Sequence, residues 1–496
     1  MNRLVEIPLR PRPLGGLEPV VTPAGWSRLQ ADLEAARPLL AERRIWLVNS
    51  TAVGGGVAEM LRSLAPYACG AGFDVRWVVI TGSPAFFAVT KELHNQLHGH
   101  ARRALDADAR AIYESTLVRS GAELASGIRS GDVVVLHDPQ TAGLAEPLRS
   151  AGATVIWRSH VGTDDANPVT QCAWDFLMPH LRAADACVFT RDRFVPPELR
   201  SGRVRTVAPS IDPLSTKNDH MPPHTVAAIL EHVGIVRTRN ESRTAPRFTR
   251  RDREPQLVRR RAEVLRYGPA PRLGVDPIVL QLSRWDRLKD PVGVMRVFAK
   301  HVMSDLDVHL VIAGPPPGAI ADDPEASDVF AETVRAWRAL PHGKRSRVQL
   351  AQLPNENAEE NAAIINALQR ASSVVVKKSL QEGFGLGVTE AMWKRLPVVA
   401  SRVGGIQEQI EHRRSGLLVD DPLDLESFGA AVSELLVDRG EAGRLGAAAK
   451  ERVRERFLPD RHLAEWVEFA AGEVLARENG TPQAQPRPRT APPVSA

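Results

Sequence analysis

The residues most able to do chemistry lie in the stretch Glu382-Gly-Phe-Gly-Leu-Gly-Val-Thr-Glu390. Gly383, Gly385 and Gly387 remove side chains at alternate positions, so the backbone N–H groups around Phe384 and Leu386 can approach a ligand. The apolar run Val374-Val-Val376 before it reads as a buried parallel strand, and 388–395 reads as a helix. A helix N-terminus behind an amide-lined turn favours negative charge. Glu382 and Glu390, eight residues apart, flank the turn. Carboxylates are poor neighbours for phosphate and good acceptors for sugar hydroxyls. The pattern implies a ligand with polyol and phosphate parts, which a nucleotide sugar would satisfy.

A second element is Ser283-Arg284-Trp285-Asp286-Arg287-Leu288-Lys289-Asp290, after the apolar run 277–282. Open α/β sheets bind ligands outside the carboxyl ends of their strands. Arg284 and Lys289 are therefore placed where two cations could neutralise a diphosphate. An exposed loop whose charges pair with Asp286 and Asp290 is the alternative. Gly54-Gly55-Gly56 follows an early strand and opens a helix, giving another close approach for phosphate or sugar. A dinucleotide fingerprint fits poorly there, because Glu59 occupies the position that needs a small residue. His137-Asp138-Pro139 and Ser159-His160-Val161 each stand just beyond a strand, on the same expected sheet edge. Either histidine could equally be a satisfied core residue, and Asp164-Asp165 could bind hydroxyls or cap a helix.

The elements that must position these groups alternate along the chain. Strands are expected at 44–48, 75–80, 132–136, 154–158 and 186–190, with a helix from about 57 to 71. Their apolar continuity indicates burial on both faces and a parallel sheet. Alternation resumes with strands at 277–282, 308–313, 347–350, 373–376 and 397–400. The expected fold class is α/β, with two doubly wound Rossmann-like halves. The expected organisation is an N-terminal extension (1–40), an acceptor domain (41–212), an arginine-rich insert or linker (213–275), a nucleotide-sugar domain (276–450), a C-terminal helix crossing back (451–477) and a disordered tail (478–496). Within 237–266 there are eleven arginines against four acids, which reads as a mobile, solvated insert needing an anionic partner for order.

Composition narrows the classes. A chain of 496 residues exceeds one core, and 43% hydrophobic with 25% charged residues is typical of globular proteins. A net charge of +5 suits an anionic ligand and is slight support for nucleic acid at this length. Cys69, Cys172 and Cys187 form no C-x-x-C pair, which argues against a disulfide framework and fits a cytoplasmic setting. No apolar run is long enough to span a membrane, and no secretory segment precedes the first strand. Asp106-Ala-Asp108 and Asp305-Leu-Asp307 match acidic metal-binding pairs but sit in poor contexts, so no metal is expected.

Taken in order, these motifs resemble the retaining glycosyltransferases of the GT-B fold, family four, over about residues 40–475. Closer still is a likeness to the trehalose glycosyltransferring synthases. It is carried by Val48-Asn-Ser-Thr-Ala-Val-Gly-Gly-Gly-Val-Ala-Glu-Met60, Ala208-Pro-Ser-Ile-Asp212 with Ser215-x-Lys-Asn218, Leu282-Ser-Arg-Trp-Asp-Arg-Leu-Lys-Asp-Pro291 and Val376-Lys-Lys-Ser-Leu-Gln-Glu-Gly-Phe-Gly-Leu386. The arginine-rich insert departs from the pattern, and the segment around His160 matches in part. The resemblance implies two Rossmann-like domains facing across a cleft. It implies that Arg284 and Lys289 hold the diphosphate, Glu390 the ribose, and Glu382 with the amides of 383–387 the donor sugar. Gly54, Gly55 and Gly56 would line the donor, His160 would lie against its reacting face, and Asp138 near the acceptor. The implied reaction is metal-independent transfer of glucose from a nucleoside diphosphate glucose to glucose, giving trehalose with retention. Nucleoside diphosphate glucose would be a co-substrate with no further cofactor, and a homodimer is the expected assembly. A trehalose phosphorylase, a glucosyltransferase with another small acceptor and a non-catalytic nucleotide-sugar sensor are the alternatives. A glycosidase would need Glu382 and Glu390 roughly 5–9.5 Å apart.

Overall fold

A computed structural model describes residues 4–52, 55–101, 103–239, 244–302, 307–318 and 325–480. Expectations for Gly54, Asp305 and residues 481–496 lie outside the described residues. Two compact units are present. One comprises the described residues of 1–14, 27–209 and 460–496, and the other those of 15–26 and 210–459.

The first unit is built on a seven-stranded sheet of β1 (Val5–Ile7), β2 (Arg44–Asn49), β3 (Asp74–Val79), β4 (Val133–His137), β5 (Thr154–Ser159), β6 (Ala186–Phe189) and β7 (Val204–Thr206). Their order is β1-β3-β2-β4-β5-β6-β7, with every pairing parallel except β1 on β3. The order reverses at β2, so β2 and β4 flank a switch point where loops diverge to opposite faces. Every residue of β4 and β5 is buried, which is why Val133–Leu136 and Val155–Trp157 run apolar without alternation. The helix Pro459–Glu478 belongs to this unit from Asp460 onward. Arg477 donates to Asp185 at 2.9 Å and Arg203 donates to Glu473 at 3.0 Å, tying the helix to the strand β6–β7 region.

The second unit contains the antiparallel pair β8 (Arg247–Thr249) and β9 (Pro255–Leu257). Its main sheet holds β10 (Glu263–Leu265), β11 (Ile278–Leu282), β12 (His309–Gly314), β13 (Val348–Gln352), β14 (Val374–Lys377), β15 (Val398–Ser401) and β16 (Leu417–Val419). The order is β10-β13-β12-β11-β14-β15-β16, again reversing at the first long strand. All pairings are parallel except β10 on β13.

The arginine-rich stretch departs from its reading as a mobile insert. Its described residues fold into β8, β9 and β10, and acids of the same unit supply the negative partner. Glu360, buried, accepts from the backbone N–H groups of Arg259 (2.7 Å) and Arg260 (2.6 Å) and from the Arg260 guanidinium (2.7 Å). Arg251 pairs with Asp212 at 2.9 Å and Arg253 with Asp219 at 2.7 Å. A composition that favours disorder in isolation is ordered here by carboxylates distant in sequence.

Candidate active site

In the second unit the chemistry gathers at the carboxyl ends of β11 and β14, which are adjacent in the sheet. After β11 the chain makes a short 3-10 turn, Arg287–Lys289, capped by Asp286, whose carboxylate accepts from Leu288 N at 2.8 Å. Asp290 takes a left-handed conformation (φ 44°) and caps the following helix, Pro291–His301, through Gly293 N at 2.9 Å. The ammonium of Lys378, wholly buried, pairs with Asp290. These contacts fix the turn, and Lys289 reaches Glu382: its Nζ donates to Oε1 at 2.8 Å.

Glu382 is the hub. Ser379 Oγ donates to its Oε2 at 3.1 Å, and Lys377 Nζ lies 3.6 Å from the same oxygen. Burial pushes its carboxyl up, but Lys289, Lys377 and Ser379 together outweigh that and hold it at about 2. A carboxylate held ionised by two lysines is poorly suited to be the proton-donating carboxyl of a glycosidase. Lys377, buried beside Lys289, is pushed below the usual lysine range by burial, partly offset by Glu382. Arg284 sits nearer solvent, with Nη2 3.5 Å from Asp286. The pairing expected of an exposed loop is thus present for Arg284 and Asp286, while Asp290 is taken by Lys378.

Of the three turn glycines, the backbone accounts for Gly385, while a Cβ on Gly387 would meet open space. Gly385 has φ 85° and is the N-cap of the helix Leu386–Trp393, beginning two residues earlier than expected. Gly404 and Gly405 could not carry a Cβ, which would fall 1.7 Å from Glu382 O and 2.6 Å from Gly383 O respectively. Phe384 is buried against Phe457, with ring centroids 5.7 Å apart, and its carbonyl accepts from Gln409. Phe384 therefore anchors the turn. Glu390 lies inside the helix, buried, and pairs with Lys217 at 2.8 Å. Lys217 and Lys377 stand in motifs that flagged the family, yet no role was assigned to either from sequence. Gly404-Gly405 was not singled out from sequence.

In the first unit the sequence-selected pair meets directly. His137 ends β4 and His160 follows β5; their rings are near-parallel (17°) and meet edge to edge, centroids 5.3 Å apart, with His137 Nδ1 3.0 Å from His160 Nε2. Asp138 has φ 65° and ψ 177°, a region that essentially only glycine occupies without strain. It is held there by its N–H donating to Arg158 O (2.7 Å), by Trp157 Nε1 donating to its carbonyl (3.0 Å) and by His160 N–H donating to its carboxylate (2.7 Å). Burial raises the Asp138 carboxyl to about 7, against the pull of that N–H and of Arg158. Strain of this kind persists where the surroundings over-determine it, commonly at functional sites.

Arg158 is fully buried and has no carboxylate in contact among the described residues. Its Nη1 donates to His462 Nε2 at 3.2 Å, its Nη2 to Val207 O at 3.2 Å, and it lies over the Trp466 ring at 5.1 Å. Burial lowers it to about 9. Trp466 Nε1 also donates to His462 Nε2, at 3.1 Å, so that nitrogen is bare and His462 is neutral. Asp164 pairs with Arg191, and Asn167, not either aspartate, caps the next helix. Gly55 (φ 80°) caps the helix Gly56–Gly70, with open space where a Cβ would stand, so the turn conformation alone accounts for that glycine. Among the described residues no His, Cys, Asp and Glu cluster could hold a metal ion, and no helix is long and apolar enough to cross a membrane.

Residues 47–196 match the family described as trehalose synthase, N-terminal domain, and residues 271–452 match glycosyl transferases group 1. The trehalose synthase of Rubrobacter xylanophilus is 35% identical over 88% of this chain and 92% of its own length. A trehalose phosphorylase of Pleurotus pulmonarius is 25% identical over 88% of this chain and 58% of its own. An alpha,alpha-trehalose-phosphate synthase (UDP-forming) from Burkholderia xenovorans, solved in complex with glucose-6-phosphate, superposes with a TM-score of 0.62 at 15% identity, covering 87% of this chain and all (100%) of that one. The two doubly wound sheets and these likenesses define a glycosyltransferase of the GT-B fold. Within that class, the chain belongs to the trehalose synthase family.

Proposed function

We propose that this glycosyltransferase moves glucose, with retention, from a nucleoside diphosphate glucose to glucose, forming trehalose without a metal ion. The observation that carries the reading is Glu382, held ionised by Lys289 and Lys377 beside an amide-lined helix start. A carboxylate that accepts sugar hydroxyls and cations that accept phosphate charge are the two halves of a nucleotide-sugar site. Arg284 and Lys289 hold the diphosphate, and the amides of Gly383, Phe384, Gly385, Leu386 and Gly387 surround the donor. Glu390 takes the ribose hydroxyls, its charge balanced by Lys217. Gly55 and Gly56 border the donor, His160 lies against its reacting face, and Asp138 meets the acceptor.

As the glycosidic bond lengthens, positive charge grows at the anomeric carbon and negative charge on the departing diphosphate. Fixed cations and amide dipoles stabilise that charge without reorganising, a contribution of about 10²–10³ in rate per donor. A phosphate oxygen on the same face takes the acceptor proton as the new bond forms. Incubation with UDP-, ADP- or GDP-glucose plus glucose should yield an α,α-1,1 disaccharide by NMR, with nucleoside diphosphate released. The likeness to trehalose phosphorylase supplies the rival: glucose 1-phosphate from trehalose and orthophosphate, with no nucleotide-dependent synthesis, would replace this reading.

A further inference from the structure

His137 and His160 form a hydrogen bond that only one of them can donate when both rings are neutral. Both are neutral: burial and the nearby Arg158 cation hold each well below the usual histidine range. The direction follows from the opposite ring edge of His137. Its Nε2 is buried with no hydrogen-bond partner among the described residues, and the His137 side chain helps line an apolar cavity together with Leu47, Val135, Trp466 and Arg158. A proton there would leave a buried N–H unsatisfied, on a ring that already lies in the field of the Arg158 cation. Orphaned buried N–H groups are rare, whereas a bare nitrogen beside a cation is favoured. The His137 proton therefore sits on Nδ1, which donates to His160 Nε2. His160, neutral, then carries its own proton on Nδ1.

We infer that His137 is a positioning residue that holds His160 in the Nδ1-protonated neutral tautomer, so that His160 offers substrate a hydrogen-bond donor and not a base. The backbone completes the device. His160 N–H is fixed by the Asp138 carboxylate at 2.7 Å, which sets where the imidazole begins, and the nearly coplanar, edge-on hydrogen bond to His137 sets its orientation. A donor at that edge would meet a sugar hydroxyl or ring oxygen and would not take a proton from the acceptor. The inference rests on the reading of His160 as a donor-contacting residue only for its consequence on rate; the tautomer itself is independent of that reading.

The experiment uses the full chain labelled with ¹⁵N-histidine, with imidazole nitrogen–proton correlation spectra assigned through His137 and His160 variants. His160 should show a protonated Nδ1 and an unprotonated Nε2. In His137→Asn the amide nitrogen stands where Nδ1 stood, and the pattern should survive. In His137→Gln the amide is displaced toward the Nε2 position, and in His137→Phe the ring remains without a donor; both should release His160 toward Nε2–H. Alongside, kcat should fall about five- to tenfold in the Gln and Phe variants, the scale of one neutral hydrogen bond, with KM shifting less than about twofold and Asn near wild type. Wild-type His160 protonated at Nε2, or an unchanged tautomer in both Gln and Phe variants, overturns the inference. A tautomer that moves as expected with kcat unmoved upholds the positioning by His137 and removes His160 from the donor site. Should His137→Phe fail to fold, the Asn and Gln pair decides the matter alone.

Discussion

Replacing Glu382 by Gln isolates the charge at the centre of the second unit while keeping the shape of a protonated carboxyl. The folded-state value of about 2 lies below the ordinary 4.5. A depression of that size corresponds to on the order of 3 kcal/mol of stability at neutral pH. Because the folded value is depressed, this stability is present above the unfolded value and is lost as pH falls toward 2. Glu382→Gln should therefore cost on the order of 3 kcal/mol at pH 7 and less than half of that, about 1 kcal/mol, at pH 3. The cause is physical: Lys289 and Lys377 would be left buried around a neutral amide, 2.8 and 3.6 Å from where their counter-charge stood. Native-state hydrogen exchange of β11 and β14 amides reads the effect locally, as protection lowered about 10²-fold at pH 7. Transfer should fall about 10²–10³-fold as the sugar loses its ionised acceptor. Equal protection at pH 7, or a gap that does not narrow with acid, would refute the charge argument; full transfer by the variant would end Glu382's place in the site.

Arg284→Ala should weaken nucleoside diphosphate binding about 10- to 100-fold, the scale of one charge-assisted hydrogen bond, by calorimetric titration; unchanged affinity would place that guanidinium outside the donor site. With Asp138 raised to about 7, transfer should rise through a limb near pH 7 that is absent in Asp138→Asn. The sign for stability is opposite: a raised folded value favours folding at low pH, and that contribution is lost as pH rises through about 7. Asp138→Gly should be about 1–2 kcal/mol more stable than Asp138→Ala in denaturant titrations, since glycine releases the strain at φ 65° and alanine keeps it, while both lose activity. Glu360→Ala should cost about 3 kcal/mol in the protection of β8 to β10 and open 244–262 to proteolysis, because Arg259 and Arg260 lose their shared acceptor.

The two sheets were legible because continuous apolar runs such as Val133–His137 and Val374–Lys377 have one stable use, a strand covered on both faces. What escaped notice were the short edge strands. β1, β7, β10 and β16 have three residues each, too few to carry a period of two, and their pairing partners decide them. The arginine-rich stretch was misread for a related reason: its order comes from Glu360, Asp212 and Asp219, none of which its own composition reveals. At the site, Glu382 and Glu390 stood out because they flank a glycine turn, and Arg284 and Lys289 because they follow a buried strand at the edge where open sheets bind ligands. Lys377 was indistinguishable from its neighbour Lys378 until the strand ended between them. The Arg158–His462 contact joins positions far apart in sequence, and no local pattern announces it.

The two units treat buried charge in opposite ways, and that contrast bears on the division of labour. In the second unit each of the buried ions at the site has an opposite partner in contact: Glu382 with Lys289, Glu390 with Lys217, Lys378 with Asp290. Pairing keeps the groups ionised, which a ligand that separates charge as it reacts can use. In the first unit burial goes largely uncompensated. His137, His160 and His462 are held neutral, Asp138 is raised toward neutrality and Arg158 is lowered. Groups so arranged offer directional hydrogen bonds at little net charge, which suits an uncharged sugar and would repel nothing it brings. A chain that placed paired fixed charge around both reactants would pay desolvation twice; here ion pairs gather around Glu382 and Glu390, in the unit whose proposed ligand carries the phosphates, while beside His137 and His160 the buried Arg158 cation has no carboxylate in contact among the described residues.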